Sequence, residues 1–404
     1  MLASQAIGAD PRRALPVQLR RLLARLRLGQ GAAETERECR RLLSIAEAVG
    51  TTGAVVQTQS LLVQALARMG NTSEAIQIAE SSLRLAESSG DSALAGEAMH
   101  RLAITLLAER SEEAVELLLR LVSRARASGE KVMEARAFLS LGVARVQTRD
   151  YDAGTEAFRA ALAIAQEAQA LDVAANASMN LGVLGLRGGD FEPAHEALRE
   201  ALRLFTTLRN NANRLATLYN LADLERERGD DATSVALYRE TAVLAGQLGA
   251  DDLAIGAQAG IGLAALTTND VPAAQAALAT AFVALDGRAD WWFQRRERLE
   301  SLIIRLDVHG GRYAAASERF HQAMERLEAS DVYSAAWLVA DCAADLLDHD
   351  DLVWPAVERL ATHPMASQFM PLAARFTALR DMADRRNSAH LRLPDGFVVE
   401  EITH

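Results

Sequence analysis

The chain has 404 residues, of which 50% are apolar, 24% charged and 5% aromatic. Its formal charge of −11 argues against binding of nucleic acid by the body of the protein, and no run of 18 apolar residues predicts a membrane span. Two cysteines are too few to stabilise a chain of this length by disulfide bonds. Such sparse use of cysteine is typical of proteins in a reducing compartment. Because alanine, leucine, arginine and glutamate dominate and favour helix, we expect an all-α cytoplasmic protein.

The first 50 residues are basic, unlike the rest of the chain. Residues 1–33 contain six arginines and one acidic residue, so they sum to +5 and the remaining 371 residues to −16. Two apolar stripes, at residues 19–28 and 39–46, predict the helices of a degenerate first repeat. We expect residues 1–50 to form a terminal cap with a basic polar face. A membrane-surface or partner-binding helix is the alternative.

An internal repeat follows the basic segment. Seven apolar anchor positions, at 62, 102, 141, 181, 221, 261 and 303, are separated by 40, 39, 40, 40, 40 and 42 residues. Each unit predicts two amphipathic helices, which in the fourth unit cover residues 173–187 and 193–207. Between them we expect Gly189 to help end the first helix and Asp190 to cap the second.

Small residues follow the anchor in several units, at Gly142, Gly182, Ala222 and Gly262. A large side chain there would prevent the second helix of the unit from approaching the first. Neither helix can bury its apolar stripe alone, so we expect the units to be stabilised by stacking against their neighbours.

These features resemble the tetratricopeptide repeat (TPR) family. The similarity lies in the Asn-Leu-Gly core of the first helix, the Gly-Asp-aromatic turn, and the alanine and bulky residue of the second helix, as in Ala194 and Leu198. It covers roughly residues 51–330 as seven units, with a period longer than the usual ~34 residues. That period is similar to the long-period TPR proteins of bacterial signalling. The resemblance implies an α-solenoid of antiparallel helix pairs forming a right-handed superhelix.

The C-terminal part, residues 331–404, is predicted to be a helical cap and tail. Helices are predicted around residues 291–306, 313–328 and 333–347, whereas Trp354-Pro355 and His363-Pro364 predict interruptions. The apolar residues 397–399 are expected to pack on the last helices, with binding by a partner as the alternative. All four tryptophans lie after residue 288: Trp291, Trp292, Trp337 and Trp354. A homo-oligomer formed through this end is a third hypothesis for the function.

The resemblance implies a groove lined by the first helix of each unit. The position before the anchor is often an asparagine that hydrogen-bonds the backbone of a bound peptide, since its amide both donates and accepts. The predicted groove residues are Arg101, Arg136, Ser140, Gln147, Asn176, Asn180, Arg187, Tyr219, Asn220, Asp223 and Arg226. Their arginines favour an acidic or carboxylate-ended partner. The alternative is a set of solvated faces paired with neighbouring acids.

Motifs for catalysis are missing from the sequence. It contains no P-loop, dinucleotide fingerprint, His-Glu-x-x-His pair or nucleophile elbow, and its eight histidines lack metal-ligand spacing. We therefore expect no enzyme, no cofactor and no metal site. The predicted function is a scaffold or adaptor that binds a peptide segment or protein partner in the groove. The alternative is a regulatory sensor that changes conformation when it binds a small peptide or ligand.

Overall fold

A computed structural model of the chain describes residues 11–27, 31–285, 296–364 and 369–390. These ranges contain nineteen helices and no strand, which confirms the predicted all-α class. Trp291, Trp292 and the apolar tail at residues 397–399 lie outside the described residues. None of the described helices is both long and apolar enough to cross a membrane.

The chain forms two compact units, the N-terminal unit Met1–Ser178 and the C-terminal unit Met179–His404. The boundary between the two units falls within the ninth helix. The first nine helices are α1 (Pro11–Arg27), α2 (Ala32–Val49), α3 (Thr52–Arg68), α4 (Thr72–Ser88), α5 (Ser92–Leu106), α6 (Ser111–Ser128), α7 (Lys131–Gln147), α8 (Tyr151–Glu167) and α9 (Leu171–Gly188). The remaining helices are α10 (Phe191–Thr207), α11 (Asn211–Arg228), α12 (Asp231–Leu248), α13 (Asp251–Thr267), α14 (Val271–Leu285), α15 (Arg296–His309), α16 (Tyr313–Ser330), α17 (Val332–Leu346), α18 (Val353–Ala361) and α19 (Met370–His390). The boundaries predicted at residues 50 and 330 stay predictions.

Within each unit the helices stack as pairs. Turns of two to four residues join consecutive helices from α2 to α14, so neighbours run antiparallel. Odd-numbered helices also contact one another, α3 with α5 and α7 with α5 in the N-terminal unit, and α11, α13, α15 and α17 in series in the C-terminal unit. From α3 to α13 the first helices of the pairs begin 39 or 40 residues apart. Each unit is therefore built as a helical-repeat solenoid.

Two of the predicted small positions lie where the second helix of a pair crosses the first. A Cβ atom added to Gly142 would overlap the ring of Phe158 in α8, and one added to Gly182 would overlap Leu198 in α10. Phe158 and Leu198 are both buried. The structure thus shows why glycine stands at these two places.

The predicted capping of α10 is wrong in one respect. Gly189 has the expected left-handed conformation, at φ +79°, but the side chain of Asp190 accepts no cap hydrogen bond from α10, which the structure describes in full. Asp150 and Asp230 each accept one from the N–H three residues further on, at 3.2 and 3.0 Å. The corresponding residue after Asp190 is Pro193, which has no N–H to donate.

The two ends of the chain follow the predicted helices closely. Leu19 of α1 and Leu42 of α2 are buried in the core of the N-terminal unit, while Arg20 is exposed. Pro355 does not interrupt a helix, contrary to prediction. It stands in the first turn of α18, where an N–H would have no intrahelical acceptor. Helix α18 ends at Ala361, before the predicted stop at Pro364.

Candidate binding site

The predicted groove residues of the N-terminal unit lie on α5, α7 and α9. Arg101, Arg136 and Ser140 belong to one polar cluster, in which Nη1 of Arg136 donates to Glu97 at 2.6 Å. Gln147 is exposed at the end of α7. The amide of Asn176 donates to the backbone oxygen of Asp172, one turn earlier in α9, at 2.7 Å. These residues therefore have different environments, and their shared role stays a prediction.

In the C-terminal unit, Asp223 and Tyr219 are buried residues of α11. The side chain of Asp223 accepts hydrogen bonds from Tyr238 Oη and from Arg298 Nη1, both at 2.6 Å. Arg298 also donates to Tyr238 Oη at 2.7 Å, and its guanidinium lies 5.5 Å from the ring centre of Tyr219. Tyr219 is 0% exposed. This buried cluster joins α11, α12 and α15.

Charge and burial act in opposite directions on this cluster. Burial raises the pKa of Tyr238 well above its usual value, so the phenol stays protonated and can donate. Burial alone would lower the pKa of Arg298, but Asp223 together with Tyr219, Tyr238 and Glu297 more than offsets that effect, and the pKa is raised. Arg298 therefore keeps its charge across the accessible pH range.

A second buried network surrounds Arg226. Its guanidinium lies 3.0 Å from Glu227 and 3.8 Å from Asp341, and Arg375 of α19 donates to the same two carboxylates at 3.0 and 2.6 Å. Burial acts to raise the pKa of Asp341, but Arg226 and Arg375 outweigh it and lower the pKa. Helix α19 is thus held to α11 and α17 by arginine–carboxylate pairs.

A cavity of about 350 Å³ lies within the C-terminal unit. Its wall contains three predicted groove residues, Arg187, Asn220 and Asp223, which the structure brings together. The other lining residues are Val183, Leu186, Glu227, Glu297, Arg298, Asp331, Tyr333, Ser334, Trp337, Phe369 and Pro371. The wall is therefore polar on the side of α11 and α15 and aromatic on the side of α17.

Arg187 is the wall residue best placed to meet a ligand. Its guanidinium lies 5.4 Å from the ring centre of Tyr333 and 5.4 Å from that of Phe369, distances at which a cation is attracted to aromatic rings. Among the residues that the structure describes, no carboxylate is within ion-pairing distance of Arg187. By contrast, Asp223 and Glu227 on the same wall are each paired with an arginine.

Another residue of the cavity wall, Asp331, stabilises a helix of the fold. Asp331 caps α17 by accepting from the N–H groups of Tyr333 and Ser334, at 3.1 and 3.3 Å. Asn180, the other predicted asparagine of this unit, is half-buried on α9.

Sequence reasoning missed the aromatic wall because Tyr333 and Phe369 lie outside the predicted groove helices. The only available signal was the concentration of aromatic residues after residue 288.

No protein family matches this chain, and no curated protein matches its sequence. Similar solved structures include the apo form of RapI, 12% identical over 84% of this chain and 100% of that one, with a TM-score of 0.60. The quorum sensor NprR from B. thuringiensis, in its apo form, is 12% identical over 87% of this chain and 99% of that one, with a TM-score of 0.53. A signal-transduction ATPase with a TPR sensor, from Pyrococcus horikoshii, is 13% identical over 87% of this chain and 49% of that one, with a TM-score of 0.56.

These similarities concern the fold. The chain has the helical-repeat fold of TPR proteins, which confirms the resemblance found in the sequence. It spans about half the length of the ATPase and nearly the whole of the other two proteins. Membership of the long-period type stays a prediction.

Proposed function

We propose that this chain is a non-enzymatic scaffold or adaptor that holds a segment of a protein partner in the cavity of the C-terminal unit. The observation that carries the proposal is the position of Arg187 on the cavity wall, against two adjacent aromatic rings and without a carboxylate partner among the described residues. A guanidinium that projects toward such a cavity can bind a carboxylate through two parallel hydrogen bonds.

The cavity also suits the rest of a short segment. Its volume of about 350 Å³ lies within the range of natural ligand sites. Tyr333, Trp337 and Phe369 offer an apolar surface beside Arg187, and aromatic residues with arginine are typical of the energetic centre of protein interfaces. The partner segment should therefore carry an acidic residue or a C-terminal carboxylate next to an apolar side chain.

A sensor is the second candidate. The cavity wall is contributed by α9, α11, α15, α17 and the start of α19, so one ligand would contact five segments at once. Two of the similar structures are described as sensors, NprR and the TPR portion of the ATPase. A ligand that binds one arrangement of these helices better than another would shift the population between them.

The proposed location is the cytoplasm. Cys39 and Cys342 are both free and buried in the structure, and burial raises the pKa of the Cys39 thiol to about 12, which keeps it unreactive. Self-association through the C-terminal end remains a prediction. Trp337, one of the aromatic residues there, lies 5.1 Å from the guanidinium of Arg375 in the same chain.

The test is a screen of immobilised peptides followed by affinity measurements in solution. We expect the full chain to retain peptides with an acidic residue beside an aromatic or aliphatic one. Arg187→Gln should weaken the affinity about tenfold or more, because a charge-assisted pair is lost. Arg203→Gln removes the same charge from an exposed pair with Glu200 and should leave the affinity unchanged. Equal affinities for the wild type and Arg187→Gln would contradict the proposal.

A further inference from the structure

The polar cluster of the N-terminal unit contains an arginine whose charge is not balanced. Nε of Arg101 donates to Ser60 Oγ at 3.0 Å, and no carboxylate among the described residues lies within ion-pairing distance. Glu97, whose charge favours that of Arg101, is instead paired with Arg136. Burial and the second guanidinium, that of Arg136, lower the pKa of Arg101. The cluster thus holds two guanidinium groups and one carboxylate, and the carboxylate is paired with Arg136 alone.

A neutral histidine links this pair to a second hydroxyl. Nη2 of Arg136 lies 3.4 Å from His100 Nδ1, and since a guanidinium can only donate, Nδ1 must accept. The proton of the ring is therefore on Nε2, which donates to Ser140 Oγ at 2.9 Å. Burial, with the charges of Arg136 and Arg101, lowers the pKa of His100 to about 3, so the ring carries no charge near neutral pH.

Among the described residues, neither of the two serine hydroxyls has an acceptor for its own proton. Ser60 Oγ accepts from Arg101, and Ser140 Oγ accepts from His100. Each hydroxyl keeps its own proton, which is free to donate to a ligand. The residues come from three successive first helices, α3, α5 and α7. The cluster therefore combines hydroxyl donors and guanidinium donors from these three helices, with an excess of one positive charge.

We propose that Arg101, Arg136, Ser60 and Ser140 form a binding site for a phosphoryl group in the N-terminal unit. Four donor groups from three helices match a tetrahedral oxyanion with three or more accepting oxygens better than a planar carboxylate with two. The group would also supply the negative charge that Arg101 lacks. Its source is either a phosphorylated side chain of a partner or free inorganic phosphate. The site is separate from the cavity of the C-terminal unit, so the failure of one proposal leaves the other standing.

The test is calorimetric titration of the full chain with inorganic phosphate and with a phosphoserine peptide, at fixed ionic strength and neutral pH. We expect saturable binding to the wild type. Arg101→Gln should weaken it about tenfold to a hundredfold, as expected for lost bonds to a charged group, and Ser140→Ala should weaken it less. Arg101→Lys keeps the charge but not the planar fork, and should give an intermediate affinity.

Arg110→Gln is the matched control, because Arg110 belongs to the same unit but pairs with the exposed Glu113. It should bind like the wild type. Binding of the peptide alone identifies a phosphorylated partner as the source, whereas equal binding of both probes identifies the free anion. The proposal is overturned if neither probe binds the wild type, or if Arg101→Gln and Arg101→Lys both bind as well as the wild type. Circular dichroism of each variant establishes that it is folded.

Discussion

Arg298 donates a hydrogen bond of 2.6 Å to Asp223, a residue 75 positions earlier in the chain, and both side chains are at most 10% exposed. The pair connects α15 to α11 beside the cavity. A charge buried this deeply is stable only while its partner is present. The cavity wall therefore depends on an interaction between distant parts of the sequence.

Removing the charge of Asp223 should destabilise the protein strongly. Asp223→Asn leaves Arg298 buried without a counter-charge, and we expect the free energy of unfolding to fall by about 3 kcal/mol or more, measured by urea denaturation. Glu200→Gln breaks the exposed pair with Arg203 and should cause little change, because such pairs contribute little. A small loss for Asp223→Asn would show that the pair does not hold the wall.

Adding one methyl group at Gly142 should be costly. The new Cβ would overlap the buried ring of Phe158, and overpacking of a filled core typically costs about 1–3 kcal/mol. Gly246→Ala is the control, because that helical glycine has open space around it. Alanine there should stabilise the protein by up to about 1 kcal/mol through its higher helix propensity. The two melting temperatures should move in opposite directions; a shift of the same sign would contradict this account of the packing.

The helix caps should differ between repeats. Asp150 accepts a hydrogen bond from the backbone of α8, so Asp150→Ala should lower the free energy of unfolding by about 1 kcal/mol. Asp190→Ala should lower it less, since Asp190 makes no such bond with α10. Thermal denaturation of both variants at one pH compares them directly. Equal losses would show that the capping bond is not what distinguishes the two residues.

His100 should make stability depend on pH. Its pKa falls from 6.5 to about 3 on folding, so below pH 6.5 the unfolded chain binds a proton that the folded chain excludes. The contribution of the neutral ring is fully present above about pH 6.5 and is lost progressively as the pH falls toward 3. By pH 5 the loss should approach ~2 kcal/mol.

The measurement is urea denaturation of the wild type and His100→Gln between pH 7 and pH 5. The variant has no titrating ring at this position, so its stability should fall less than that of the wild type over the interval. His309→Gln, at an exposed histidine, should keep the wild-type dependence. Parallel curves for the wild type and His100→Gln would show that this ring does not titrate abnormally.

Local features of the sequence predicted the repeats well, whereas the binding surface was harder to foresee. Gly142 and Gly182 mark their helix crossings because the same steric requirement applies at both positions. The predicted capping hydrogen bond of Asp190 is absent because the residue three positions further on is Pro193, which has no N–H to donate. Tyr219 and Asp223 occupy predicted groove positions but are buried, since Arg298 supplies a partner that helix periodicity cannot reveal. Phe369 reaches the cavity from a segment outside the repeats.

Hydrogen exchange of the full chain, with and without the tightest peptide from the screen, tests most directly whether the cavity is the binding site. We predict that the peptide slows exchange in residues 179–188, 217–228 and 331–338, which carry much of the cavity wall, and that Arg187→Gln abolishes this protection. Residues 231–248 of α12 should exchange equally in both states. Protection confined to α12 or to the N-terminal unit, with these segments unchanged, would contradict the proposal.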